Sequence, residues 1–233
     1  NGNTTHYIYD GVGNNTKITD ALGNSTVNTY DENGNLVSVK DRNGNTTTYI
    51  YDDNNQMTGT VDALGGTSSS TYDSIGNLIS STTAGGNTTA YTYDALSQNT
   101  SVTNARGFVT SMEYDVLGRN ISTTYADGST VSYTYDANGQ VLTSTNTLAG
   151  VTSYTYDAAG QMLTMTDPMG GVTSYTYDAV GNVLSITDPM GFVTSYTYTA
   201  DNQQATATDA EGHTTSYAYN ALGQVSTVTS PGG

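Results

Sequence analysis

A tyrosine recurs every 21 residues, from Tyr9, Tyr30 and Tyr51 to Tyr219, eleven times without insertion or deletion in a chain of 233 residues. A period of this length means one supersecondary unit repeated side by side, each copy completing the packing of its neighbour. Other columns keep the register. The first nine tyrosines are followed by Asp, and the last two by Thr199 and Asn220. Glycine stands four residues after the tyrosine in eight of eleven repeats, Gly13 and Gly181 among them. Fourteen residues after, it stands in ten of eleven, from Gly23 to Gly233, the exception being Ala149. A second tyrosine lies two places earlier in eight repeats. In the first six repeats it alternates (Tyr7, Tyr49 and Tyr91 against Asn28, Ser70 and Met112), which hints at an older 42-residue unit. Residues 1–233 therefore read as a single array of eleven repeats, a segment of a longer or polymerised protein.

Residues 172–191 show what one repeat builds. Val172 to Tyr177 is β-branched and aromatic, a pleated strand. Asp178-Ala179-Val180-Gly181 is a turn, with Asp capping its own backbone and Gly supplying positive φ. Asn182 to Thr187 is a second strand, and Asp188-Pro189-Met190-Gly191 a second turn. Tight turns join antiparallel neighbours. The expected fold class is all-β: antiparallel β-hairpin repeats, about two strands per 21 residues, winding into a spiral, tube or solenoid-like rod. Alternation of side chains puts Tyr175, Tyr177, Leu184 and Ile186 on one face and the Thr and Ser residues on the other. Twenty-two strands exceed what an open twisted sheet holds without curling, and the apolar face calls for a cover.

Composition narrows the function. Five Lys and Arg stand against 21 Asp and Glu, a formal charge of −16, so nothing is available to neutralise nucleic-acid phosphates. There is no Cys, hence no disulfide scaffold and no thiolate metal site. No apolar run approaches the ~20 residues of a membrane-spanning helix, so membrane insertion is not expected. Thr and Ser make up 66 of the 233 residues, which suits a repeated β-surface. All five basic residues (Lys17, Lys40, Arg42, Arg106, Arg119) fall in the first 119 positions.

The units Tyr154-Thr155-Tyr156-Asp157-Ala158-Ala159-Gly160-Gln161 and Tyr175-Thr176-Tyr177-Asp178-Ala179-Val180-Gly181-Asn182 resemble the YD repeat of the RHS family, as do Thr166-Asp167-Pro168-Met169-Gly170 and Thr187-Asp188-Pro189-Met190-Gly191. The resemblance covers the whole chain. It implies a bacterial cell-surface or secreted protein, hairpins that spiral into a hollow shell as in toxin-enclosing proteins, and proposed carbohydrate binding. Where the family often has Arg after the turn glycine, this chain has Asn14, Asn35, Gln140 or Gln161, and only Arg119 matches. The core segment and self-cleaving aspartate site that end toxin shells are absent from the sequence.

No catalytic, cofactor-binding or metal-binding residue is assigned. The Asp residues after Tyr (Asp10, Asp31, Asp52 and onward) occupy turn positions, which suits capping rather than paired acid–base work. His6 and His213 are far apart. Asp31-Glu32-Asn33-Gly34-Asn35 and Asp41-Arg42-Asn43-Gly44-Asn45 offer alternate oxygen ligands but lack the closing acid of a calcium loop. Seven Asn-x-Ser/Thr sequons run from Asn3 to Asn120, and the Thr/Ser face offers sites for O-linked glycans. The leading reading is a non-enzymatic structural protein of an extracellular or cell-surface bacterial fibre or filament, self-associating end to end or laterally. The alternatives are a fragment of an RHS- or Tc-type toxin-enclosing β-shell and a carbohydrate-binding adhesion module.

Overall fold

The computed structural model describes residues 4–232. Asn3 of the first sequon and Gly233 of the glycine column lie outside the described residues. Among the described residues the elements are 22 β-strands of four to seven residues, two per repeat. In each repeat a tyrosine strand such as Val172–Tyr177 alternates with a return strand such as Val183–Thr187. Both match the strands read from the sequence to within one residue.

The chain divides into two units, one up to Met112 and one from Glu113. Within each unit the strands pair antiparallel with their neighbours in sequence, as in a meander. Among the described residues of each unit, the strands pack on those neighbours alone. Among the described residues no hydrophobic side chain is fully buried. Each unit is thus one layer thick, held by its backbone ladders and by side chains lying on its faces.

The two turns of a repeat have one build, although their sequences differ. In Asp178–Asn182 the Gly181 N–H donates to the Asp178 carbonyl (3.2 Å) and the Asp178 N–H to the Asn182 carbonyl (2.9 Å). In Asp188–Phe192 the corresponding bonds are both 2.9 Å. This is a tight turn closed by one residue in the left-handed region, where Gly181 has φ +99° and Gly191 φ +86°. At the three places where the first turn lacks glycine, Asn55, Ser97 and Asn202 take the same conformation, with φ of 60° to 62°.

A bulge follows the first turn, and it corrects the face assignment. Tyr175 lies opposite Ile186, and Thr176 opposite Ser185, as alternation requires. Tyr177 then pairs with Val183, so Leu184 is an extra residue with no partner. The expected Tyr–Leu face therefore carries Val183 instead, while Leu184 remains 39 % exposed. The same shift recurs beside Tyr30, Tyr51, Tyr156 and Tyr198. The bulge side chain can reach the hydroxyl face, as Thr100 does in meeting the Thr92 Oγ1 at 2.8 Å.

Candidate functional site

The side-chain chemistry of the chain builds the turns and joins one repeat to the next. Tyrosine does the first part. The Tyr177 hydroxyl donates to the Met162 carbonyl at 2.8 Å, and Met162 is the residue paired with Tyr156 across the preceding bulge. Tyr51 reaches Leu36, Tyr93 reaches Leu78 and Tyr198 reaches Val183 in the same way, always 15 residues back. A bulge breaks the ladder and leaves a carbonyl without its backbone partner. The next repeat's phenol fills that place, which phenylalanine could not do.

Aspartate does the second part. Asp178 Oδ1 accepts the N–H groups of Val180 (3.0 Å) and Asn182 (2.9 Å), and its Oδ2 accepts the Asn182 side-chain amide (2.8 Å). That amide first, and then the two backbone N–H groups, hold the Asp178 carboxyl below its ordinary value. Asp31 and Asp41 are held down in the same way, the amides of Asn35 and Asn45 leading. The two calcium-like segments are thus turns whose acids are engaged by their own backbone.

The residue after the turn does the third part, by reaching the next repeat's turn. The Gln140 Nε2 donates to the Gly160 carbonyl at 2.8 Å, and the Asn35 Nδ2 to the Asn55 Oδ1 at 2.7 Å. Arg119 combines several contacts. Its Nε lies 2.7 Å and its Nη2 2.6 Å from Asp115 Oδ2, its Nη1 donates to the Asp136 carbonyl (3.0 Å), and its guanidinium sits 4.6 Å from the Tyr135 ring centre.

On the other face, hydroxyls pair across the strands: Thr155 with Thr164, Thr176 with Ser185, and Thr197 with Thr206, at 2.6 to 2.7 Å. His213 contacts Asp209 at 3.2 Å and Glu211 at 3.4 Å within one turn, and His6 lies on the first strand. Among the described residues no three His, Cys, Asp or Glu stand together as a metal set. An open cleft of ≈350 Å³ lies between two turns, lined by Asp20, Asn24, Asp41 and Arg42. The sequence reading found the tyrosine and aspartate columns but missed the reach of the residue after the turn. Its signal was present, as an amide or Arg at that place in every repeat, Asn14 through Gln224.

The Teneurin YD-shell family matches residues 60–225, and the RHS repeat matches residues 30–67. No curated protein sequence matches the chain. Among solved structures, TcdB2-TccC3 without its hypervariable C-terminal region is similar at 16% identity and TM-score 0.48, over 98% of this chain and 18% of that one. The Photorhabdus luminescens Tc holotoxin pore has the same identity and coverage with TM-score 0.47. A porin-like protein from Bacteroides uniformis is 10% identical with TM-score 0.30, over 87% of this chain and 93% of that one. The chain therefore spans about a fifth of the length of the toxin chains it resembles. The match over residues 60–225, more than two thirds of the sequence, agrees with the repeats and their tyrosine contacts, and by it the chain belongs to the Teneurin YD-shell family.

Proposed function

We propose that this chain is a non-enzymatic wall segment of an extracellular or cell-surface β-shell, a sheet that screens what lies behind it. The observation that supports this is the way the repeats are joined. Backbone ladder, tyrosine hydroxyl and turn amide all run from one repeat to the next, so a sheet one layer thick supports itself without an internal core. Such a wall can be lengthened by adding repeats without redesigning any contact. A fibre is the second reading, favoured by the unbroken 21-residue register through all eleven repeats. In a fibre the hydroxyl face would carry O-linked glycans. An intact mass equal to the bare 24.4 kDa chain would exclude them.

Electron microscopy of the purified protein tests the proposal. Closed hollow particles assembled from several copies are the expected result. Uniform filaments would replace the wall reading by the fibre, and dispersed small monomers would overturn both.

A further inference from the structure

The amides that reach from turn to turn are not interchangeable. Where the residue after the turn is the long Gln, the left-handed residue of the next turn, 20 positions on, is glycine. Gln56 Nε2 donates to the Gly76 carbonyl (3.3 Å), Gln140 to Gly160 (2.8 Å) and Gln203 to Gly223 (3.1 Å). In each case the amide nitrogen lies tight against the point a Cβ would take. A Cβ built on Gly76, Gly160 or Gly223 would lie 3.1, 3.3 or 3.0 Å from that nitrogen. Gln161 stands 3.0 Å from the same point at Gly181.

Where the residue is the short Asn, the next turn supplies a side chain instead. Asn35 Nδ2 donates to Asn55 Oδ1 (2.7 Å), Asn77 to Ser97 Oγ (3.2 Å) and Asn182 to Asn202 Oδ1 (3.1 Å). These three acceptors are the described non-glycine residues with positive φ. A short amide cannot reach the backbone carbonyl, so the acceptor has to come forward on a short polar side chain. Asn and Ser hydrogen-bond locally, and Asn tolerates the left-handed region better than most residues.

We infer that these two positions, 20 residues apart, form a recognition rule for the interface between successive repeats. A long donor fits a repeat whose turn closes with glycine, and a short donor fits one whose turn closes with Asn or Ser. In the sequence nine of the ten successive pairs obey it, Arg119 with Gly139 included. The departure is Asn14 with Gly34, where the Asn14 amide keeps the bond to its own turn's Asp (3.0 Å to Asp10) that Asn35, Asn77 and Asn182 also make. The rule determines which repeats can be neighbours, and so the order in which they can be shuffled, duplicated or joined.

The same substitution at two equivalent turns tests it. Gly34→Asn gives Asn14 the acceptor it lacks, whereas Gly76→Asn places a Cβ against Gln56. The expected result in the full chain is a Tm changed by less than about 1 °C for Gly34→Asn and lowered by roughly 2–4 °C or more for Gly76→Asn, on the usual scale for a chain of this size. The double variant Gln56→Asn/Gly76→Asn recreates the short pair and should recover at least half of the loss. Equal losses at the two turns, or a double variant equal to the sum of its single changes, would overturn the rule.

Discussion

Tyr177 shows what a single residue contributes. Its ring covers one face of the sheet, and its hydroxyl satisfies the Met162 carbonyl at 2.8 Å. Tyr177→Phe keeps the ring and removes the bond, at an expected cost of about 1 kcal/mol. Tyr175→Phe is the comparison, because among the described residues the Tyr175 hydroxyl has no protein partner. Urea unfolding of the two variants should separate them, with Tyr177→Phe the less stable and the circular dichroism of both unchanged. The sequence made the tyrosine column plain. It could not say what the hydroxyl bonds, because the acceptor is chosen by register across a bulge 15 residues earlier. Asp178 is the opposite case. Its donors lie within four residues, so its role as a turn cap was legible from Asp178-Ala179-Val180-Gly181 alone.

At the scale of the element, the hairpin depends on two adjacent glycines for different reasons. Gly170 has φ +86° and open space around it, so Gly170→Val meets only the backbone cost of the left-handed region, ~1–2 kcal/mol. Gly171 has no positive φ, but a Cβ there would press on the Asp167 carboxylate and lie 3.1 Å from the Pro189 Cβ of the next turn. Gly171→Val is expected to lower Tm further than Gly170→Val, since it disturbs the carboxylate that accepts the Met169 and Gly171 N–H groups. Thermal unfolding of both variants checks the order. Strand and turn positions were readable because Gly, Pro and β-branched residues act locally. The bulge was not. One unpaired residue such as Leu184 leaves no mark in an alternating pattern, yet it sets Val183 instead of Leu184 opposite Tyr177, while Ser185 and Ile186 stay where alternation puts them.

Across the whole molecule, the repeated turns make stability depend on pH at both ends of the scale. The turn carboxyls, Asp31, Asp41 and Asp178 among them, are held below the unfolded value of 3.8 by their amide and backbone donors. Their contribution is complete above that value and is lost as pH falls through the lower folded values. Tyr156, Tyr177 and Tyr198 are pushed above 10.0, first by desolvation and then by the neighbouring tyrosine two places earlier. Their contribution is complete below 10.0 and is lost as pH rises beyond it. Urea midpoints measured from pH 2 to 12 should therefore form a plateau that falls away below about 4 and above about 10. By itself the sequence determined the period, the all-β class and the two tight turns, since each rests on residues within a few positions of one another. Only the tertiary structure decided which carbonyl each tyrosine meets, which face Leu184 leaves and which turn each amide reaches. Those contacts join residues 15 to 20 positions apart, and they exist only once strand pairing has brought neighbouring repeats side by side.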